Sequence, residues 1–504
     1  AGKYCGAGEK FLCGIPEKAI MSSLKNKTIH GILWSAVDSF AAQGITFLVG
    51  IVLARLLSPA EFGLIGMITV FIAVSESFIN SGFGQALIRK KNCTETDYST
   101  VFYFNLLTGI LFFLILFFSG PLISSFFKEP QLNLLVKVLA LVLIIDSLTM
   151  IQRTTLTKRI DFKLQTRISV ISVLIGGAVG IWMAYNGFGV WSLVFKTLSQ
   201  RAVNSLLLWI WNRWRPLLVF SIQSFRELFA FGSRLLVSGL IDTLYRNIYY
   251  LVIGKYFSAQ ELGYYTRAQH FNDLPSKNLN GIMSRVTYPV LAQMQDDPVR
   301  LKSGYKKMIK SIMLISMVLM AGLAAVAEPM IITLIGEKWR PAIIYLQLLT
   351  FVGMMYPLHA LNLNMLQVQG RSDLFLRLEI IKKLIAIPTI IIGVFFGIKV
   401  MILGMWVNTL IAYYLNSYWS GRMINYPMRE QVNDIMPGFG IALTMGAVVM
   451  LAGWLLPVSF LVKLIIQLIL GALLSLLLCE LFKPEAYLEL RQIVLKNLLK
   501  RSNG

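Results

Sequence analysis

Six polar residues between Leu262 and Ser284 carry the clearest chemistry in the chain. Arg267, His270, Asp273, Lys277, Asn280 and Ser284 follow one another at offsets of 3, 3, 4, 3 and 4. On a helix they share one face, an arc of roughly 140° at about 100° per residue. Leu274 intrudes at its edge, and the opposite face carries Phe271, Leu279, Ile282 and Met283. Pro275 lies among them, and its ring and missing N–H predict a weakened or kinked helix. Both flanks are long apolar segments, and a polar stripe at bilayer depth must face a bundle interior or a water-filled cavity. The stripe reads as the wall of a translocation pathway. In the preceding apolar segment Arg234, Ser238, Asp242, Tyr245, Arg246 and Tyr249 share a face, with Asp242 and Arg246 at the i, i+4 spacing of a local ion pair. Lys382 and Lys383 lie about two turns into a later segment, placed to line an inner vestibule or to snorkel outward.

The candidate substrate-cavity residues are therefore Arg234, Arg246, Arg267, His270, Lys277, Asn280 and Lys382. Asp38, Glu76, Asp146, Asp242 and Asp273 are candidate carriers of a coupling proton or sodium ion. The first four have a structural alternative: Asp38 or Asp146 simply paired, Glu76 tied to Lys277, Asp242 closed on Arg246. No metal site or organic cofactor is expected. Cys5, Cys13, Cys93 and Cys479 lie far apart, without metal-ligand spacing.

These residues sit in a chain of 504, 56% hydrophobic and only 14% charged. Soluble domains carry about 25% charged residues, so this is an all-α, polytopic membrane protein. The net charge of +22 is spread over many short loops, as orientation by the positive-inside rule requires, and does not indicate nucleic acid. Fourteen apolar segments, from 29–57 to 459–481, are long enough for a core of about 30 Å. Basic residues crowd the even-numbered loops and the tail, placing both termini in the cytoplasm. The outer loops are short, leaving little room for an external active site, and no nucleophile triad or phosphate loop appears, so no enzyme is expected. Residues 1–20 read as a tag or non-native leader, with Met21 beginning the native chain.

An internal repeat recurs at an offset of about 200 residues. Arg55-Leu-Leu-Ser58-Pro-Ala-Glu61-Phe-Gly63 returns as Lys255-Tyr-Phe-Ser258-Ala-Gln-Glu261-Leu-Gly263, and Arg159-Ile-Asp161-Phe as Arg371-Ser-Asp373-Leu. An even number of segments separates the copies, so the halves are parallel: six helices in 21–215, six in 216–425, and two extra helices with a cytoplasmic tail in 426–504. Parallel repeats suit transporters whose bundles rock about a central site. Residues 213–228 and the tail after Lys483 read as segments lying in the cytoplasmic interface. Gly176 and Gly180 form a small-xxx-small pair suited to helix packing.

Leu53-Ala-Arg55-Leu-Leu-Ser58-Pro59-Ala-Glu61-Phe62-Gly63, then Ser81-Gly82-Phe83 and Ser99-Thr100-Val-Phe, closely resemble the polysaccharide transport family of Wzx-type flippases and colanic-acid or teichuronic-acid exporters. That family lies within the superfamily that also holds MATE exporters and lipid II flippases. Arg159-Ile-Asp161-Phe-Lys163, Gly187-Phe-Gly189-Val-Trp191, Leu262-Gly-Tyr264-Tyr265-Thr-Arg267 and Tyr288-Pro289-Val with Gln295-Asp296-Asp297 add to the resemblance, which covers about 28–425. It implies a flippase that moves undecaprenyl-diphosphate-linked oligosaccharide from the cytoplasmic to the outer leaflet by alternating access. The expected partners are that lipid-linked oligosaccharide, the bilayer and the polysaccharide polymerase machinery, with the chain itself a monomer in a bacterial cytoplasmic membrane. Tyr249 stands where family members often carry an acid, so ion coupling does not transfer to that position. The alternative is a MATE-like cation-coupled exporter of small molecules. Such an exporter should present an acidic cavity, and the predominance of Arg and Lys argues against it.

Overall fold

The computed structural model describes residues 42–80 and 82–492. The expected leader, Asp38 and the last residues of the tail lie outside them. The described residues are helical throughout, with one 3-10 turn at Glu337–Trp339. In chain order the helices are α1 (Ala42–Leu56), α2 (Pro59–Asn80), α3 (Phe83–Arg89), α4 (Glu95–Phe127), α5 (Leu132–Leu139), α6 (Leu141–Lys158), α7 (Phe162–Tyr185), α8 (Trp191–Trp211) and α9 (Ile222–Tyr256). They continue as α10 (Ala259–Ala292), α11 (Pro298–Ala325), α12 (Ala327–Ile335), α13 (Ala342–Val368), α14 (Ser372–Phe396), α15 (Ile398–Met423), α16 (Met428–Leu455) and α17 (Phe460–Phe482). A helix satisfies its own backbone groups, which lipid cannot do, and so dominates at bilayer depth.

Among the described residues nine helical stretches are long and apolar enough to cross a membrane, and ten if α9, bent by 42° around residue 234, counts as one. The chain is thus an all-α, multi-pass membrane protein. Helices α8, α10 and α14 fall outside that set. They carry Lys196 and Arg201, then Arg267, Asp273 and Lys277, then Arg377, Glu379, Lys382 and Lys383. The helices that fall short in apolarity include those that hold the candidate chemistry.

Local signals set the helix starts. Thr94 and Asp97 form a capping box on α4: Thr94 N–H donates to Asp97 Oδ2 at 3.0 Å and Asp97 N–H to Thr94 Oγ1 at 3.2 Å. Asp161 caps α7 by accepting from Leu164 N–H at 3.1 Å, and Asp297 caps α11 by accepting from Arg300 N–H at 3.0 Å. Helix α10 runs unbroken through Pro275, where sequence alone predicts weakening. A 34-residue helix, packed against α13 and α11, tolerates one lost hydrogen bond when neighbours fix its path.

The chain divides into two compact units. The first holds Met67–Ile248 with the described residues before Ser58; the second holds Ser58–Gly66 with the described residues from Tyr249 on. In the first, α7 and α8 pack closely at Gly176 and Gly180. A Cβ on Gly176 would fall 2.8 Å from the Lys196 carbonyl oxygen, and one on Gly180 2.7 Å from Lys196 Cβ. Residues 213–221 are irregular, and Ile222 begins α9. Trp214 pins this connection, donating from Nε1 to Glu95 Oε2 at 2.8 Å and accepting at its carbonyl from Gln152 Nε2 at 3.1 Å.

The second unit is built on a methionine- and tyrosine-rich core, with Tyr305, Met313, Met320, Met365 and Tyr426 all essentially buried. Within it the two copies of the repeated motif meet. A Cβ on Gly63 would lie 1.7 Å from the Ala259 carbonyl oxygen, and one on Gly263 1.9 Å from that of Pro59. Each glycine thus abuts the first residue of the other copy's helix, so the repeat read from the sequence is also a reciprocal backbone contact.

Candidate functional site

The first unit contains a cavity of about 650 Å³, within the range of about 300–1,000 Å³ typical of small-ligand sites. Its wall is formed by α2, α3, α6 and α9, and its polar lining includes Glu76, Asn80, Gln85, Arg153, Arg246 and Asn247. Gly82 lines it too, in the left-handed conformation at φ 72°, where a Cβ would lie 2.7 Å from the Gly232 carbonyl oxygen. That position needs glycine for both conformation and space. The hydroxyls of Ser77 on α2 and Thr243 on α9 lie 2.9 Å apart on the same wall.

Beside the cavity stands an ion network assembled from three helices. Arg201 of α8 donates from Nη2 to Glu76 Oε1 of α2 and from Nη1 to Asp146 Oδ1 of α6, each at 3.3 Å. Arg153 donates from Nη2 to Asn204 Oδ1 at 3.0 Å. The structure thus brings Glu76 and Asp146 together on one guanidinium. Glu76 pairs with Arg201, a partner not among those weighed from sequence. Neither Arg201 nor Arg153 stood among the candidates from sequence. Arg201 carried a usable signal, because an ionisable residue in the middle of an apolar segment is by itself a reason to suspect a site. Arg153 had none, since it reads as one of the basic residues of a cytoplasmic loop.

Across the cavity wall Arg246 pairs with Asp242 at 2.8 Å, the i, i+4 pair on α9. The side chains of Arg234 and Asn280, like the whole of Asp38, lie outside the described residues.

The second unit holds the stripe of α10. Lys277 pairs with Asp273 at 2.5 Å, again i, i+4, and Gln269 Nε2 donates to Asp273 Oδ1 at 2.8 Å. Arg267 places its guanidinium 3.9 Å from the centre of the Phe62 ring, a stacking geometry. Its partner is thus an aromatic face. His270 is half-buried on the same helix. Lys382 is ion-paired with Glu379 on α14. Two members of the stripe, Lys277 and Asp273, thus pair with each other along one helix, whereas the Arg201 network draws on three helices.

Among the described residues no group of three or more His, Cys, Asp or Glu is placed to hold a metal ion. Cys93 and Cys479 are free thiols.

The sequence profile of the polysaccharide biosynthesis protein family matches residues 52–344, more than half of the chain. The chain belongs to that family. Its similar proteins include the teichuronic acid biosynthesis protein TuaB of Bacillus subtilis, 28% identical over 359 residues, covering 70% of this chain and 74% of that one. The lipopolysaccharide biosynthesis protein WzxC of Escherichia coli is 28% identical over 373 residues, covering 74% of this chain and 76% of its own. Among solved structures, the lipid II flippase MurJ in an inward closed conformation superposes with a TM-score of 0.74 at 16% identity, over 90% of this chain and 98% of that one. An inward-facing MATE family transporter of the MOP superfamily gives 0.63 at 16% identity, over 78% and 98%. At that identity the likeness is one of fold.

Proposed function

We propose that the chain is a flippase that moves undecaprenyl-diphosphate-linked oligosaccharide from the cytoplasmic to the outer leaflet of a bacterial cytoplasmic membrane, for cell-surface polysaccharide assembly. In this reading fourteen helices form two parallel six-helix lobes, 21–215 and 216–425, that rock about a central pathway, with two further helices after 425 and both termini cytoplasmic. The observation that carries it is the cavity walled by Arg153, Arg246, Asn80, Asn247 and Glu76 among helices apolar enough to span a bilayer. A diphosphate is a compact anion, and taking it out of water requires cationic or multiple N–H partners. A sugar chain requires amides and hydroxyls, and Asn80, Gln85, Ser77, Thr243 and Asn247 supply them. The relatives named for teichuronic acid and lipopolysaccharide biosynthesis favour such a substrate.

The membrane potential assists in this direction. Moving two negative charges outward is favourable by roughly 4–5 kcal/mol per 100 mV if both cross the whole field, so export does not demand ion antiport.

The test is reconstitution of the full chain in vesicles loaded with a lipid-linked oligosaccharide and probed with an impermeant lectin. Wild type should expose the glycan at the outer face, and Arg153→Gln with Arg246→Gln should slow it at unchanged protein content. Equal exposure with and without the protein would overturn the reading.

A further inference from the structure

With Arg153, which also acts on Glu76, the fully ionised cluster is balanced, but its two carboxylates share the single guanidinium of Arg201. That guanidinium faces them at 3.3 Å each, so the triad taken alone is net −1. The side chains of Arg201, Glu76 and Asp146 are 35%, 27% and 16% exposed, sheltered enough that water screens them poorly. The charged groups facing Glu76 from the helices around it are Arg201 of α8 with Asp146 and Arg153 of α6. Helix α9 contributes Arg246, itself paired with Asp242, to the cavity wall that Glu76 shares. Two carboxylates side by side in a sheltered site resist being ionised together. The guanidinium does not titrate, and it offers five N–H donors in a fixed planar fork. An edge released by one carboxylate can therefore take another oxyanion without loss of the arginine's charge.

We propose that Arg201 is a proton-released anion ligand: ionised Glu76 and Asp146 together occupy it, and a proton taken up by that pair from cavity water frees one edge of the guanidinium for the substrate's diphosphate. This rests on the lipid-diphosphate reading above and adds its regulation. By linkage, whatever the proton does for the anion the anion does for the proton, so the two bind together. This is the reverse of a site where proton and substrate compete. A diphosphate diester keeps its own charge near neutral pH, so any pH dependence of its binding reports the protein.

The test measures binding of a short-chain prenyl diphosphate glycoside to the purified full-length protein at about pH 5.5 and about pH 8, on either side of the range where coupled carboxylates titrate. Wild type should bind about tenfold more tightly at the lower pH, the change that one unit of pKa represents. Glu76→Gln, which mimics the protonated acid, should bind tightly at both and lose the dependence. Asp146→Asn should do the same, which guards against a folding defect peculiar to one variant. Arg201→Gln should bind weakly at both. Equal affinity at the two pH values, tighter binding at the higher one, or a wild-type response in both carboxamide variants would overturn the proposal while leaving the flippase reading in place. No binding by wild type at either pH would remove both.

Discussion

The two copies of the repeated motif differ in what their shared residues do. In the first, Ser58 and Glu61 close a capping box: Ser58 N–H donates to Glu61 Oε2 at 2.6 Å and Glu61 N–H to Ser58 Oγ at 3.4 Å. In the second, Glu261 N–H donates to Ser258 Oγ at 3.1 Å, but its carboxylate accepts from Tyr345 OH at 2.6 Å. The residue after the glutamate diverges too. Phe62 packs its ring against Trp339, centroids 5.4 Å apart, and takes Arg267 on its face, whereas Leu262 is simply buried. Only the glycines keep identical duties, each clearing the other copy's backbone. The two copies share the backbone contact and differ in the side chains around it.

The strongest way to break that view is to fill the contact. Gly63→Ala and Gly263→Ala would each put a methyl inside the van der Waals radius of a carbonyl oxygen. Overpacking a core costs about 1–3 kcal/mol, and a clash with backbone rather than side chain should exceed that, lowering folded yield in both variants alike. Gly44→Ala is the control, since its Cβ meets nothing within 4 Å. It should be neutral or better by up to about 1 kcal/mol, the helix preference of Ala over Gly. Thermal unfolding of the detergent-solubilised protein ranks the three, and a normal Gly63→Ala beside a damaged Gly263→Ala would show that the contact is not reciprocal in energy.

What could be read from sequence follows the distance over which each feature is encoded. The Gly176–Gly180 packing and the Asp242–Arg246 pair are local patterns and both appear in the helices, whereas of the fourteen apolar segments expected, nine or ten among the described residues are long and apolar enough to cross a membrane. The stripe of α10 was visible for the same reason, because its members lie within one helix. Its internal closure, Lys277 on Asp273, was equally local but was passed over in favour of a tie between the repeats. Arg201 joins residues 55 and 125 positions away, a relation no periodicity expresses. The partner of Arg267 was hidden because aromatic faces bind cations without any charge pattern to announce them.

The next largest effect should come from that stacked arginine. Cation–π pairs contribute about 0.5–2 kcal/mol, more when sheltered, so Arg267→Gln and Phe62→Leu should each destabilise, and together by less than their sum. If Arg267 is also an anion ligand, glycan export per folded molecule should fall in Arg267→Gln and not in Phe62→Leu. Equal loss in both would assign the arginine to the joint between the copies alone.

A smaller effect separates the glutamates. Tyr345→Phe removes a hydrogen bond to a charged acceptor, about 1.5–3 kcal/mol when the partner is buried and less here, where Glu261 is partly exposed. It should have no counterpart in the first copy. Glu61→Gln keeps the shape of its capping box but weakens it, by about 0.5–1 kcal/mol. A double-mutant cycle between Tyr345→Phe and Glu261→Gln should show coupling. Its absence would return the second copy to an ordinary cap like the first.

The smallest expected effect tests the divergence at a second pair of equivalent positions, Asp161 and Asp373. Asp161 supports α7 through its bond to Leu164 N–H, so Asp161→Ala should cost about 1 kcal/mol, the usual worth of a helix cap. Asp373 is instead gripped by two bonds of 2.9 Å from Arg371, fully at the surface. Those bonds hold its carboxyl down at about 2. A carboxyl depressed in the folded state contributes whatever stability it has above its unfolded value, near 3.9, and loses it as pH falls through about 2. Near neutral pH the pair is therefore constant, and surface pairs contribute little in any case. Arg371→Ala should leave the unfolding temperature unchanged across the neutral range, while Asp161→Ala lowers it throughout. The reverse ranking would mean that the exposed pair holds the start of α14 in a way that its surface position does not suggest.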